Sequence, residues 1–332
     1  MVSPPEDHPR HSRRHTIVIW TVLLALLIGA FAATVAILNA TVFSAGGFVG
    51  SYLSALQRHD LREALTTSGV LGSARAESDL LVPEALGALD DIHLVSDLDQ
   101  GAGVHLVTYE FELGGAPGSS AFQVQSTGPR LGFFSTWSFV QSPMAVLRIT
   151  PLHDPAFTVN GVEVVSAAGA NNQVAYQVLA PGLYVVDHES RYLEADAVPV
   201  AVTGPSSVTP VTVDIQASAD FVEQVQKEVD GFLDDCTTQT VLFPTGCPFG
   251  QELSNRVVST PAWSMARYPE VVIEPGPDPG TWVIPNAQGA AHLTVDVQSL
   301  FDGTQSTFDE DVQFALSWVL TIDGDQVDIR AQ

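Results

Sequence analysis

One uninterrupted apolar run, residues 16 to 43, constrains the topology of this chain more than any other feature. The run contains no charged residue, and Arg10, Arg13 and Arg14 precede it. An α-helix rises about 1.5 Å per residue, so about 20 apolar residues cross a hydrocarbon core of ~30 Å. The run predicts a transmembrane helix over 16–40. Because Lys and Arg favour the cytoplasmic side, residues 1–15 are expected to form a cytoplasmic basic tail, with the C-terminal ectodomain outside the cell membrane.

A cleaved signal peptide is the alternative interpretation of the same run. Such peptides have an apolar core of about 7 to 15 residues, followed by a cleavage site of small residues. Here the apolar core extends from Thr16 to Leu38, and the alanine-rich FAATVA segment lies inside it. The sequence therefore favours an uncleaved anchor. Both interpretations place the remainder of the chain outside the cytoplasm.

The composition after the apolar run is typical of a folded, acidic ectodomain. Hydrophobic residues make up 45% of the chain and charged residues 15%, unlike the low hydrophobicity of disordered segments. Ten basic and 36 acidic residues follow the run. So acidic a surface repels nucleic acid and anionic lipid headgroups, and the sequence predicts no nucleic-acid partner. Cations or basic proteins are possible electrostatic partners, and simple solubility is the alternative role of the charge.

Residues 44–142 show a helical pattern followed by strand patterns, which predicts an α+β domain. Apolar residues recur at helical spacing from 47 to 58, and Asp60 and Glu63 are placed to form a capping box before a second helix. Pro83 favours the start of a third, short helix. Alternating residues over 103–113, then strand patterns over 121–125 and 131–140, predict an antiparallel sheet under these helices.

Two runs in this domain carry a resemblance, FVGSYLSALQRHDLREAL from Phe48 and FFSTWSFVQSP from Phe133. They resemble the nuclear-transport-factor-two-like and cystatin-like cones found outside many bacterial membranes. The resemblance implies a helix-on-sheet cone with a hollow between helix and sheet. Tyr109, Phe133 and Trp137 are the residues expected to line this possible pocket, and a filled core is the alternative.

Residues 143–216 have no helical period and instead predict a small β-sandwich domain. Asn160-Gly161 and Pro181-Gly182 each separate two short apolar runs, and Asn-Gly is a strong hairpin signal. The pieces FTVNGVEV and LAPGLYVVD resemble an outer β domain of the glycopeptide-resistance-associated membrane protein family. Members of that family also have one membrane helix followed by tandem outer domains. Together these features resemble an actinobacterial-type single-pass membrane protein with several extracellular domains.

Residues 217–332 repeat the order of helix and then sheet, which predicts a second cystatin-like α+β domain. A helix over 218–232 presents Phe221, Val225, Val229 and Phe232 on one face. Cys236 and Cys247 follow it, and thiols outside the cytoplasm tend to be oxidised, so we expect a disulfide. Free thiols are the alternative. Zinc binding would require two further ligands, and no Cys or His lies at metal spacing nearby.

The sequence contains none of the common catalytic motifs, so it predicts no catalytic residue, no metal site and no cofactor. No H-E-x-x-H, G-x-S-x-G, Walker or G-x-G-x-x-G motif is present. The run Asp187-His188-Glu189-Ser190 is interpreted as a solvated turn, and Asp323, Asp325 and Asp328 do not match a calcium loop. We therefore expect a non-enzymatic envelope protein, anchored in the bilayer through 16–40, that binds a protein partner or a cell-wall component. An ectodomain enzyme acting on cell-wall or lipid-linked substrates is the alternative.

Overall fold

The apolar run forms one continuous helix in the computed structural model, which describes residues 11–130, 132–324 and 326–331. This helix, α1, extends over His11–Ala40. Its segment Thr16–Ala40 has a mean hydropathy of 2.6, and its most apolar stretch is not covered by the rest of the protein. The helix is long enough and apolar enough to span a membrane, consistent with a single-pass membrane protein. Residues 11–15 of the predicted tail 1–15 belong to α1, and residues 1–10 lie outside the described residues.

The chain divides into two compact units. Unit 1 comprises Met1–Val146, Gln177–Tyr184 and Ala201–Val208, and unit 2 comprises Leu147–Tyr176, Val185–Val200 and Thr209–Gln332. The segment 143–216, predicted as a separate domain, is thus divided between the two units. The organisation into three domains with boundaries after residues 142 and 216 stays a prediction.

Unit 1 places two short helices before a four-stranded antiparallel sheet. The helices are α2 (Ala45–Gln57) and α3 (Leu61–Thr66), followed by a 3₁₀ turn at Pro83–Ala85. The strands are β1 (Asp90–Gly101), β2 (Val104–Leu113), β3 (Ala116–Arg130) and β4 (Phe134–Phe139), paired in the order β1-β2-β3-β4. Along β2 the inward-facing Val107, Tyr109, Phe111 and Leu113 are buried, as the alternating pattern predicts.

Side-chain caps begin both short helices of unit 1. The Ser44 hydroxyl accepts the Gly47 amide at the start of α2, and the Asp60 carboxylate accepts the Glu63 amide at 2.9 Å at the start of α3. The predicted capping box is only half formed, because the Glu63 carboxylate binds Arg58 at 2.8 Å and the Asp60 amide donates to the Ala55 carbonyl. The cap predicted at Asp60 is therefore confirmed, and the reciprocal bond from Glu63 is not.

Residues 143–216 contain strands and no helix. These strands are β5 (Met144–Leu152), β6 (Ala156–Val159), β7 (Val162–Val165), β8 (Val174–Leu179), β9 (Gly182–Glu189), β10 (Leu193–Val202), β11 (Val208–Asp214) and β12 (Gln216–Ala217). They pair in the orders β12-β10-β9-β6-β7 and β11-β5-β8. The hairpin predicted at Asn160-Gly161 is confirmed, since both residues have positive φ, 50° and 80°, between β6 and β7.

The remainder of unit 2 contains one helix and a six-stranded sheet. Helix α4 (Ala219–Thr237) buries Phe221, Val225, Val229, Leu233 and Cys236, so Leu233 occupies the inward position predicted for Phe232. The strands are β13 (Arg256–Val257), β14 (Ala262–Arg267), β15 (Glu274–Pro275), β16 (Thr281–Gln298), β17 (Gln305–Asp323) and β18 (Gln326–Ala331). The long hairpin of β16 and β17 forms the centre of this sheet, and β13, β14 and β15 all pair with β16.

Candidate functional site: the joint between the first helix and the first sheet

Strand β4 contacts the end of α1, and aromatic pairs connect it to α1, to the segment after α1 and to α2. Phe133, just before β4, contacts Phe31 of α1 at 5.5 Å between ring centroids. Further along, Phe134 lies 4.5 Å from Phe43, and Phe139 lies 5.0 Å from Phe48 in α2. The contacts advance in the same direction on both partners, so the Phe133 end of β4 lies beside the apolar helix. We call Asn39, Phe43, Phe133, Ser135 and Trp137 the helix–sheet joint.

Asn39 at the end of α1 binds the first sheet through both atoms of its side-chain amide. Its Nδ2 donates to the Phe133 carbonyl at 2.7 Å, and its Oδ1 accepts the Ser135 amide at 3.0 Å. An amide group that both donates and accepts along one strand imitates a neighbouring strand and fixes the register of the contact. Asn39 therefore positions the start of β4 on the last turn of α1.

Trp137 adds a second polar contact between β4 and the segment after α1. Its indole Nε1 donates to the Phe43 carbonyl at 2.8 Å. The His105 ring stands edge-on to the Trp137 ring, with the centroids 4.8 Å apart. Residues from β2, β4 and the segment linking α1 to α2 thus meet at this side chain, which is half-buried.

A polar network continues from His105 to the start of α2. The Asp97 carboxylate binds His105 Nδ1 at 2.6 Å and accepts the Gly46 amide at 3.1 Å. The Tyr109 hydroxyl donates to the Gly46 carbonyl at 2.9 Å. Burial, and then the neighbouring Asp97 charge, raise the pKa of Tyr109 above the ordinary tyrosine value. The hydroxyl therefore stays protonated and remains a hydrogen-bond donor at neutral pH.

The segment between α1 and α2 turns so tightly that glycine is required at position 47. A Cβ atom there would lie 2.3 Å from the Thr41 carbonyl oxygen and 2.6 Å from the Val42 carbonyl oxygen. Real Cβ atoms essentially never approach backbone so closely. The short connection and these contacts make the joint suited to holding α1 and the first sheet in one orientation.

The three residues predicted to line a pocket differ in burial and contact different parts of the helical segment. Tyr109 is buried against Gly46, Trp137 is half-buried against Phe43, and Phe133 is 52% exposed beside Phe31. Each of them contacts the helical segment rather than one common ligand-sized space. Their lining of a shared hollow stays a prediction. The sequence reasoning missed Asn39, although an amide side chain at the end of a long apolar run is a signal for such a role.

A second polar cluster lies on one face of the β16–β17 hairpin in unit 2. His292 Nδ1 binds Asp311 at 2.7 Å and its Nε2 binds Asp309 at 3.0 Å, while the Thr294 hydroxyl donates to Asp309 at 2.7 Å. The bond to Asp311, and then the bond to Asp309, raise the pKa of His292. Hydrogen bonds from Thr294, and then from His292, lower the pKa of Asp309. The cluster is exposed, and one imidazole bridges two carboxylates across the strands.

The run Asp187-His188-Glu189-Ser190 is not the solvated turn that the sequence suggests. Strand β9 continues to Glu189, and His188 is buried with its Nε2 3.2 Å from the Ser190 hydroxyl. That hydroxyl also donates to the Leu193 carbonyl and accepts the Leu193 amide, both at 3.0 Å. The solvated interpretation was wrong because the buried face of β9, formed by Tyr184 and Val186, continues to His188. Ser190 and its neighbours line an open cleft of about 460 Å³ with Glu189, Arg191, Tyr192, Glu194, Ser218 and Asp220.

Cys236 and Cys247, the pair predicted to form a crosslink, lie at the end of α4 and in the loop after it. The Cys236 and Cys247 sulfurs lie 2.02 Å apart, which supports a disulfide between the end of α4 and the loop after it. Across residues 11–130, 132–324 and 326–331, no three His, Cys, Asp or Glu side chains are grouped to hold a metal ion. Asp325, one of the three aspartates examined for a calcium loop, lies outside the described residues.

No protein-family model and no curated protein matches the chain. A solved structure of an Ntf2-like protein involved in plasmid conjugation is 12% identical, with 86% of this chain and 92% of that chain covered and a TM-score of 0.15. At this TM-score the similarity assigns neither a fold nor a function to the chain.

Proposed function

We propose that this chain is a single-pass envelope protein that holds an acidic binding ectodomain at a fixed orientation outside the cell membrane. The observation that carries the proposal is the continuity of the apolar helix Thr16–Ala40 with the helix–sheet joint. A flexible tether would need no such contacts. In this proposal the N-terminus is cytoplasmic, because Arg10, Arg13 and Arg14 precede the helix.

The ectodomain is proposed to bind a partner rather than to catalyse a reaction. The partner is a protein with a basic surface or a cationic component of the cell wall, since 36 acidic and ten basic residues follow the apolar run. The helix-on-sheet arrangements of α2 with β1–β4 and of α4 with β16–β18 are proposed to be cystatin-like domains that present this surface.

Topology is tested first, with a reporter enzyme that is active only outside the cytoplasm fused after Gln332. We expect the fusion to be active, and protease added to cells without their wall should remove the ectodomain. A matched chain in which Arg10, Arg13 and Arg14 are replaced by Gln should show mixed orientation. An inactive reporter, together with full protection from protease, would contradict the proposed orientation.

Binding is tested with the full chain in detergent, immobilised and exposed to solubilised envelope proteins and to purified wall fragments. Charge-driven binding should weaken steeply between low and physiological salt, because exposed charges are screened over about 8 to 10 Å at physiological ionic strength. Quantitative mass spectrometry identifies what is retained in each condition. Retention that does not change with salt, or that is limited to acidic proteins, would contradict an electrostatic partner.

An ectodomain enzyme is the second candidate, and the cleft that contains Glu189, Glu194 and Asp220 favours it. Three carboxylates around one open space are compatible with acid–base chemistry on a cell-wall or lipid-linked substrate. Glu194→Gln and Asp220→Asn should then abolish turnover of labelled envelope material, with Glu223→Gln as the control in the same helix. Ser190 is a weaker nucleophile candidate, because its hydroxyl is already bonded to both backbone groups of Leu193.

A further inference from the structure

We propose that the Phe133 end of the β3–β4 hairpin is a lipid-contact site, at which the Phe133 ring enters the acyl-chain region of the bilayer beside α1. The inference rests on the proposed membrane anchoring and adds a second point of membrane contact to it. Phe133 is 52% exposed and Phe31 is 55% exposed, although the two rings are in edge-to-face contact at 5.5 Å. Two adjacent phenylalanines so exposed form an apolar surface continuous with the surface of α1.

The position of Phe31 within the apolar segment determines the depth of this surface. A hydrocarbon core of ~30 Å takes about 20 helical residues, and every such window within Thr16–Ala40 includes Phe31. Depending on the window, Phe31 lies about 6 to 13 Å below the outer hydrocarbon boundary. Because the Phe133 ring centroid lies 5.5 Å from that of Phe31, it lies at or below the same boundary.

Backbone at this depth is tolerated only if its polar groups have partners, because lipid offers no hydrogen bonds. The structure supplies partners for several of these groups. Asn39 accepts the Ser135 amide and donates to the Phe133 carbonyl, and the Thr136 hydroxyl donates to the Gly128 carbonyl on the adjacent strand. Asn39 is therefore a positioning residue that makes the start of β4 compatible with an apolar environment.

Acyl chains are the occupant that the geometry favours over a protein partner. The exposed face of Phe133 is continuous with the lipid-facing side of α1, so lipid that surrounds α1 also reaches Phe133. An acidic ectodomain has no attraction to anionic headgroups, and its contact with the membrane is expected at an apolar point such as this one. A protein partner on Phe133 would instead have to displace the lipid around α1.

The test uses the full chain reconstituted in phosphatidylcholine vesicles, with single cysteines that carry an environment-sensitive fluorophore. The two native cysteines are bonded to each other, so an introduced cysteine reacts alone. The variants are Phe133→Cys, Leu71→Cys and Ile28→Cys. Leu71 is 72% exposed in the same unit, and its amide and carbonyl bind the Ser142 hydroxyl beyond the far end of β4, about 20 Å away. Ile28 lies in the middle of the apolar segment and reports the anchoring itself.

Quenching by spin-labelled lipids then distinguishes the outcomes. We expect a blue-shifted, lipid-quenched label at 133, quenched most by spin labels high on the acyl chain. The label at 28 should be quenched most by spin labels near the chain end, and the label at 71 should behave as in water. Quenching at 28 but not at 133 overturns the lipid contact and leaves the anchor intact. No quenching at 28 overturns the anchor and the contact together.

Two further results would also overturn the proposal. Equal quenching at 133 and 71 would mean that the unit lies flat on the membrane. Shielding of the 133 label from aqueous quencher without quenching by lipid would mean that a protein surface covers it. Adding Asn39→Ala to Phe133→Cys should reduce the lipid quenching at 133, because the hairpin loses its hydrogen bonds to α1. Thr34→Ala, which removes a hydroxyl that donates only within α1, is the matched control and should leave the quenching unchanged.

Discussion

Helix α2 with its sheet and helix α4 with its sheet have the same order in sequence but are held in place differently. The 13 residues of α2 include no charge, and seven of them are buried. The 19 residues of α4 have a charged outer face, and five of them are buried in one stripe. An uncharged helix is covered on more than one side, whereas an amphipathic helix faces water on the side away from its sheet.

The difference shows how each helix depends on its sequence. Helix α2 depends on individual close contacts. Gly47 lies against the backbone of Thr41 and Val42. The Gly46 amide donates to the Asp97 carboxylate, and the Gly46 carbonyl accepts the Tyr109 hydroxyl. Helix α4 depends on a stripe of apolar residues and on the bond between Cys236 and Cys247. Around α2, a single substitution at a closely packed position should therefore lower stability strongly. In α4, a substitution should lower stability only where it changes the buried apolar stripe or the disulfide.

The largest expected effect comes from Gly47→Ala. A methyl group at 2.3 Å from a carbonyl oxygen forces the backbone of the turn apart, which should lower the free energy of unfolding of unit 1 by about 4 kcal/mol. Hydrogen-exchange mass spectrometry of the full chain in detergent reports each unit separately. Gly231→Ala in α4 is the control, because nothing lies within 4 Å of its Cβ position. It should stabilise unit 2 by about 0.5 to 1 kcal/mol.

The comparison would fail if the two glycine variants behaved alike. A Gly47→Ala variant with unchanged exchange protection in α2 and β4 would show that the turn after α1 adjusts freely. The helix–sheet joint would then not fix the orientation of the first sheet. A destabilising Gly231→Ala would show that α4 also depends on a close backbone contact.

The second prediction concerns the crosslink of unit 2. Cys236→Ser removes the crosslink between two residues that are 11 positions apart. The greater chain entropy of the unfolded state should lower the free energy of unfolding by about 3 kcal/mol. The loss should appear in the exchange of α4 and of the loop after it, while unit 1 should be unchanged. Cys236→Ser with Cys247→Ser should be no less stable than the single variant, because both lack the bond. Two alkylated cysteines in the native, unreduced chain would contradict the crosslink itself.

Much of this architecture could be predicted from local sequence. The apolar run, the Asp60 cap, the Asn160-Gly161 hairpin and the buried stripe of α4 each depend on neighbours within a few residues. Such local patterns have a fixed period, so they can be read without knowledge of the fold. The proximity of Cys236 and Cys247 was predictable for the same reason, since the two lie close in the chain and in the same compartment.

The features that escaped prediction depend on distant partners or on broken periods. Strand β1 was missed because it is an edge strand, largely exposed on both faces, so its burial does not alternate. Strand β16 runs from Thr281 to Gln298 through an irregularity at Pro285 and Asn286, which interrupts the alternating pattern of a strand. Asn39 binds residues 94 and 96 positions away, so its partners cannot be identified from the local sequence.

The third prediction compares one tyrosine hydroxyl in each region. The Tyr52 hydroxyl of α2 donates to the Ala180 carbonyl at 2.9 Å in the core, and burial raises its pKa well above the ordinary value. Tyr52→Phe should cost about 1 to 2 kcal/mol, because a buried carbonyl loses its donor. Tyr268 donates to Asp234 of α4 on the surface, and Tyr268→Phe should change stability by less than about 0.5 kcal/mol. Thermal or denaturant unfolding measures both variants. Equal losses of unfolding free energy would contradict the view that α2 depends on single close contacts and α4 on its apolar stripe.

The smallest expected effect is a pH dependence in the sheet that carries α4. Because the hydrogen bonds that Asp311 and Asp309 accept from His292 raise its pKa, its stabilising contribution is present at low pH and is lost as pH rises through that raised pKa. Asp309 sets the lower limit of the pH range in which the cluster stabilises the fold. Its pKa is lowered, so its stabilising contribution is lost as pH falls through that lowered pKa. The cluster should therefore stabilise most between about pH 4 and 6.5, the ordinary values of the two groups.

Histidine-selective NMR of the full chain measures this effect directly. The pKa of His292 should lie above the ordinary value of about 6.5, and Asp311→Asn should lower it more than Asp309→Asn does. Glu310→Gln removes the same charge from the neighbouring position on the opposite face of β17 and should leave that pKa nearly unchanged. An equal decrease with Glu310→Gln would mean that His292 responds to the overall acidity of unit 2. The specific hydrogen bonds across β16 and β17 would then have no separate role in its titration.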